Sequence, residues 1–169
     1  MTPLHLVVMG VSGCGKSEIG ERMAHALGLP LIEGDGFHSP ENVDKMQHGV
    51  ALADADRAGW LAALSTELSR HPAGAVLTCS ALKRSYRDVL RGAVPELRFV
   101  HLALTQDDAL RRVAARAGHF YPPTLVASQF DALEDPAGEP GVIVVDAMLP
   151  VEDVTARALQ ALRREFNIP

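Results

Sequence analysis

Gly10-Val11-Ser12-Gly13-Cys14-Gly15-Lys16-Ser17 is the stretch whose reading decides the fold. It matches G-x-x-x-x-G-K-[ST], with an apolar run, Leu4 to Met9, before it and a helix-forming run, Glu18 to Leu27, after it. Strand, glycine loop and helix start together make an anion cradle. The glycines let backbone N–H groups turn inward on phosphate oxygens, and the helix start adds its partial positive charge. A chance glycine-rich turn would not carry both flanks. The pattern places Lys16 on the β- and γ-phosphates and the Ser17 hydroxyl on Mg²⁺. It predicts a site for a nucleoside triphosphate with magnesium, with Gly10, Ser12, Gly13, Cys14, Gly15, Lys16, Ser17 and Glu18 as the contacts.

Outward from the loop, short β-branched apolar runs alternate with longer helical patterns. Strands are expected near 4–9, 30–33, 75–79, 97–103 and 142–146. Helices are expected near 16–27, 41–47, 56–70, 82–91, 106–117, 123–133 and 151–165. This alternation implies a parallel sheet with helices on both faces. Val142-Ile-Val-Val145 is apolar throughout, as for a strand covered on both sides. Ligands of such sheets sit beyond the carboxyl ends of the strands, so the residues just after each strand are the ones to inspect.

The 169 residues fit one domain, 1–169, without repeat or linker. Asp135 to Gly141 reads as a loop by its turn residues. A net charge of −5 argues against a nucleic-acid binder with a broad basic surface, so an anionic ligand needs a local positive pocket. Two cysteines, Cys14 and Cys79, are too few for a disulfide framework and suit a reducing cytosol. The N-terminal residues lack the basic region of a signal peptide, and no apolar run approaches the ~20 residues of a membrane helix. A cytoplasmic protein without membrane partners is expected.

After the second strand come Glu33, Asp35 and His38. If the extended backbone persists, Glu33 and Asp35 point the same way. Phosphoryl transfer to a hydroxyl needs a carboxylate that orients the nucleophile and takes its proton, and Asp35 is the candidate. Glu33 is placed to reach Mg²⁺ through water. Both also suit a plain turn beside glycine. After the third strand, Ser80 is expected to cap a helix on which Lys83 and Arg87 form an i, i+4 pair. Like charges at that spacing near a helix start are unfavourable unless an anion lies between them, or the face is simply solvated. Asp54 is a further helix cap, Trp60 reads as core, and the fork of Arg57 suits a carboxylate. Arg111, Arg112 and Arg116 lead into Gly118-His-Phe-Tyr-Pro-Pro123, which fits either a phosphate-clamping lid or an ordinary basic helix end.

Together these motifs resemble the gluconokinase family of small P-loop kinases. The resemblance spans Val8 to about Asp146. It rests on Gly10–Ser17; Gly34-Asp35 with His38; Asn42 with Lys45-Met46; and Asp54-x-Asp56-Arg57-x-x-Trp60-Leu61. It rests also on Cys79-Ser-Ala-Leu-Lys83 with Tyr86-Arg87-Asp88, His119-Phe120-x-Pro122, and Ser128-Gln129-Phe130 with Leu133-Glu134. The loop is shared by many kinases, whereas the Cys79–Lys83 and His119–Pro122 elements are more specific. The resemblance implies a nucleoside-monophosphate-kinase-like fold with a five-stranded parallel sheet, a lid near 116–124 and an acceptor-binding region near 35–72. It implies phosphorylation of D-gluconate at its 6-hydroxyl by ATP-Mg²⁺, in a homodimer. By matching positions, Asp35 would hold the acceptor hydroxyl. Arg57, Lys83 and Arg87 would contact the sugar acid, with His38 and Gln129 toward its hydroxyls. Arg112 would lie near the adenine, and Arg116 would move with the lid onto the phosphates. Cys14 stands where a serine or other small residue is usual, and Glu18 where threonine is usual.

Shikimate kinase and nucleoside-monophosphate kinases are the neighbouring alternatives, since shikimate is also a carboxylated polyol. A GTP-dependent switch is the reading from another class. Asp56-Arg-Ala-Gly59 and Asp135-Pro-Ala-Gly138 fit D-x-x-G, but neither follows an expected strand and no N/T-K-x-D motif is present.

Overall fold

The computed structural model describes residues 3–115 and 122–168. Five strands, β1 (Leu4–Met9), β2 (Leu31–Glu33), β3 (Gly74–Thr78), β4 (Arg98–Ala103) and β5 (Val142–Asp146), form one parallel sheet in the order β2-β3-β1-β4-β5. The helices are α1 (Lys16–Leu27), α2 (Pro40–Gln47), α3 (Asp54–Ser69), α4 (Arg84–Arg91), α5 (Gln106–Ala115), α6 (Pro123–Ala132) and α7 (Val151–Phe166). β1 lies between β3 and β4, so the chain order reverses beside it and a crevice opens at its carboxyl end. The glycine loop leaves β1 at that point.

Side-chain alternation along β1 divides the core. Leu6 and Val8 face the layer built by α1 and α7, with Met23, Leu102 and Leu162. Val7 and Met9 face the opposite layer, with Trp60, Leu64, Leu68, Leu90 and Phe99 from α3, α4 and β4. Each fully buried leucine stabilises the fold by about 2 kcal/mol relative to exposure. A smaller cluster, Val11, Leu82, Ala109, Val113 and Val126, seats α5 and α6 beside the glycine loop. α1 packs so closely on β3 that a Cβ on Gly20 would lie 2.5 Å from Thr78 Cγ2.

The expected strands are present within a residue at each end. Three local expectations are corrected. β5 is an edge strand covered by α7 on one face, and Val144 on the other is 47% exposed, so its apolar run does not mark two-sided burial. α4 begins at Arg84 with Lys83 in the N-cap position, so Ser80 caps nothing there. α3 begins at Asp54, and the capping contact comes from Asp56 Oδ2, which accepts from the Ala53 amide at 2.8 Å.

Candidate functional site

The glycine loop has the conformation its sequence requires. Gly13 and Gly15 sit at φ 86° and 92°, a left-handed region in which a Cβ would be strained. Gly15 occupies the N-cap position of α1 without any side-chain cap. Among the described residues no acceptor bonds the amides of Gly13, Gly15, Lys16 or Ser17. The first amides of a helix lack intrahelical acceptors, and these four lie at a helix start, where an anion is favoured. Lys16 Nζ folds over the loop and donates to the carbonyls of Gly10 (3.0 Å) and Val11 (3.2 Å). Ser17 Oγ donates to Glu33 Oε2 at 3.2 Å, and Thr78 Oγ1 donates to the same oxygen at 2.6 Å. Hydroxyl and carboxylate oxygens are hard donors suited to Mg²⁺, which keeps several of its waters at such sites. The donor set fits the ion.

Arg112 lies across the loop. Its Nη1 donates to the Gly13 carbonyl at 3.2 Å and its Nη2 to the Ala147 carbonyl at 2.8 Å. A cleft of about 250 Å³ opens beside it, lined by Gly13, Gly15, Glu18, Arg112, Leu149 and Val151 among others. Its mixed apolar and guanidinium lining can take a flat heteroaromatic ring. Gln129 lies on this side of the site. Its Oε1 accepts from the Ser12 amide at 2.6 Å, so α6 is tied to the phosphate loop. That contact engages the amide oxygen of Gln129 with the loop. Arg116 and residues 116–121 of the expected lid lie outside the described residues.

Across the crevice, Gly34–Phe37 form a 3-10 turn, so the extended backbone expected through Asp35 ends at Glu33. Glu33 therefore turns to Ser17 and Thr78, while Asp35 stays exposed in the turn. The turn is set by close approach. Gly34 takes Thr78 Oγ1 on its amide at 3.3 Å and Trp60 Nε1 on its carbonyl at 2.8 Å. His38 stacks on Trp60 with ring centres 4.2 Å apart and planes 14° off parallel. Burial holds the His38 pKa below its ordinary value, with Asp35 opposing the shift and Arg57 adding to it.

Arg57 reaches Leu52 O at 2.9 Å and Tyr86 Oη at 3.2 Å, with its guanidinium 5.4 Å from the centre of the Tyr86 ring. Lys83 Nζ donates to Asp54 Oδ1 at 2.9 Å, and Tyr86 Oη donates to the same oxygen. Two cations and a phenol thus gather around one exposed carboxylate. The Tyr86 and Lys83 bonds hold the Asp54 carboxyl below the usual range, and Asp54 in turn raises Lys83. Burial, then the Asp54 bond, raises the Tyr86 phenol. In the sequence Tyr86 was visible only as a family motif position, and Asp54 as that and as a helix cap. Their joint position against Lys83 arises where α3 meets α4.

Arg87 requires the main correction. Its side chain is fully buried, and all five of its N–H groups are used. Nε and Nη2 form a fork on Glu139 at 2.9 and 2.6 Å. Nη1 holds the carbonyls of Ala81 (2.7 Å) and Leu82 (3.0 Å), and Nη2 also reaches Glu134 O at 3.0 Å. No donor remains for a substrate. The guanidinium clamps the segment between β3 and α4, where Ala81 has φ 47°, a strained value that persists because its carbonyl is held. Because Lys83 is the N-cap residue, the helical face predicted to carry both cations does not form.

A family model described as shikimate kinase matches residues 12–132. The gluconokinase of Gluconobacter oxydans is 47% identical over 148 residues, covering 86% of this chain and 83% of that one. The thermosensitive gluconokinase of Escherichia coli is 40% identical over 160 residues, covering 92% and 86%. A solved gluconokinase from Sinorhizobium meliloti superposes with a TM-score of 0.91 at 46% identity, covering 97% and 94%. Shikimate kinase from Aquifex aeolicus shares the fold, with a TM-score of 0.66, at 15% identity. The two solved kinases share this fold, while the high identity along most of both chains runs to the gluconokinases, and this protein belongs to the gluconokinase family.

Proposed function

We propose that this protein transfers the γ-phosphoryl group of ATP to the 6-hydroxyl of D-gluconate, releasing ADP and 6-phospho-D-gluconate. The observation that carries the reading is the crevice itself. A phosphate loop with unpartnered amides and Lys16 lies on one side of it, and Asp35, Arg57 and Lys83 lie on the other. Family membership supports the choice of acceptor.

The loop amides and Lys16 hold the β- and γ-phosphates and spread their charge; Lys16 exchanges the Gly10 and Val11 carbonyls for phosphate oxygens. Mg²⁺, when bound at Ser17 with Glu33 acting through water, supplies Lewis acidity toward the same oxygens. Asp35 orients the acceptor hydroxyl and takes its proton. Arg57 and Lys83 hold the carboxylate of the sugar acid, Lys83 being released from Asp54 as the substrate arrives. Arg112 seats the adenine. Arg116 closes with the lid of 116–124 and excludes water that would otherwise accept the phosphoryl group. The protein acts as a single domain, as a homodimer, in the cytoplasm, without nucleic-acid or membrane partners. The net charge of −5 is the support for a chain without a broad basic face for nucleic acid.

The test is ADP release from ATP-Mg²⁺ with D-gluconate, shikimate and a nucleoside monophosphate offered separately. Turnover confined to gluconate is the expected result. Turnover confined to another acceptor would keep the phosphate site and overturn the reading of Arg57 and Lys83.

A further inference from the structure

His38 is held by two side chains. Its ring stacks on Trp60, which is itself pinned through Nε1 to the Gly34 carbonyl. Its Nδ1 lies 3.4 Å from Nδ2 of Asn42, one helical turn along the chain. Asn42 owes its place to the start of α2. Ser39 caps that helix by accepting from the Asn42 amide at 3.2 Å, with Pro40 at the first helical position. Asn42 is thereby buried, at 5% exposure, between α2 and α3.

The chemistry of Asn42 is decided by its other partner. Its side-chain nitrogen lies 2.8 Å from the backbone carbonyl of Asp56. A carbonyl oxygen only accepts, so the atom facing it is the amide nitrogen and not the amide oxygen. That nitrogen carries two hydrogens. One is used on Asp56, and the other faces His38 Nδ1. An N–H directed at Nδ1 requires a lone pair there, so the proton of the neutral ring sits on Nε2. Among the described residues Nε2 has no hydrogen-bond partner, and it is not among the buried unpartnered atoms. It is open to solvent, and Asp35 and Arg57 both act on the charge of the ring.

We propose that Asn42 is a positioning residue that locks His38 in its Nε2–H form, so that His38 donates a hydrogen bond to an oxygen of the acceptor and does not take its proton. This rests on the proposed function for the identity of the acceptor. It divides the labour between two neighbours: Asp35 accepts the proton, and His38 reads an acceptor oxygen. An imidazolium would set Nδ1–H against the Asn42 N–H, and burial disfavours its charge as well.

Nitrogen-15 NMR of the ligand-free protein tests the tautomer without any assumption about substrate. Loss of one ring's signals in His38→Gln identifies His38 among the seven histidines. The expected spectrum has Nδ1 unprotonated and Nε2 protonated. Asn42→Asp, close in shape but accepting where the amide donates, is expected to move the proton to Nδ1. A wild-type ring protonated on Nδ1 overturns the proposal, as does an unchanged tautomer in Asn42→Asp.

Kinetics test the donor role. His38→Phe is expected to raise the KM for gluconate about tenfold, the scale of one lost hydrogen bond, with the KM for ATP unmoved. His38→Gln, whose amide nitrogen donates from nearly the place of Nε2, is expected to recover most of that loss. A His38→Phe enzyme equal to wild type, or a Gln variant no better than Phe, overturns the donor role. If the wild type does not turn over gluconate at all, the acceptor assignment fails while the spectrum still decides the tautomer.

Discussion

Gln129 Oε1 and the Ser12 amide are joined by a 2.6 Å hydrogen bond across 117 residues of sequence. The helix that follows the lid region therefore grips the phosphate loop directly. A donor on the loop is satisfied by a side chain that the chain delivers only after α5, so loop geometry depends on α6 being docked.

Gln129→Leu keeps the apolar bulk and removes the acceptor. The expected result is a KM for ATP raised about threefold to tenfold, the net worth of such a bond, with the KM for gluconate little changed. Initial rates at varied ATP and gluconate separate the two. A rise confined to gluconate would return Gln129 to the sugar pocket.

Lys16→Ala and Asp35→Asn act on opposite sides of the crevice. Lys16→Ala is expected to lower kcat by about 100-fold or more, because the charge it places on the transferring phosphoryl has no substitute. Asp35→Asn is expected to lower kcat by about 100-fold or more while ATP affinity, read by fluorescent nucleotide titration, stays within about twofold. Wild-type turnover in either variant removes that residue from its role.

Arg57 and Arg87 look alike in sequence and should fail differently. Arg57→Ala leaves the fold intact and raises the KM for gluconate, by about tenfold or more if a carboxylate is lost. Arg87→Met leaves Glu139 buried without its fork and is expected to cost about 3–5 kcal/mol of stability. Urea denaturation beside steady-state kinetics distinguishes them. A stable Arg87→Met protein with only a gluconate defect would place Arg87 in the acceptor pocket.

Stability should also fall in acid for a stated reason. The Arg87 bonds, and then those of Arg91, hold the Glu139 carboxyl below the usual carboxylate range against the opposing effect of burial. A carboxyl with a depressed folded pKa contributes stability that is complete above its unfolded pKa and is lost as pH falls through the folded value. The gap in urea midpoint between wild type and Glu139→Gln should therefore be widest near neutrality and narrow below about pH 4. A gap that does not change with pH would deny the ion pair its role.

Gly34 is required by contact, not by an unusual φ. A Cβ there would lie 2.1 Å from the Thr78 carbonyl oxygen, whereas one on Gly36 meets nothing within 4 Å. Gly34→Ala is expected to cost about 2 kcal/mol or more and to displace Asp35, and Gly36→Ala should be nearly neutral. Thermal melts and turnover of the pair provide the check.

The sequence by itself determined the sheet, the phosphate loop and the family. Those are written locally: apolar runs of strand length, glycines where φ must be positive, and Lys16-Ser17 at a helix start are legible without knowing any distant partner. Tertiary structure alone decided the direction of individual polar side chains. Lys83 and Arg87 read as one cationic face, yet the helix starts only at Arg84, and Glu139, 52 residues away, draws Arg87 inward. Gln129 and His38 both read as contacts for the sugar hydroxyls; that Gln129 Oε1 accepts from the Ser12 amide, and that His38 Nδ1 meets an Asn42 nitrogen bonded to the carbonyl of Asp56, came only with packing. A buried polar atom goes to the partner that satisfies it, and that partner is brought by packing from elsewhere in the chain, where no local pattern records it.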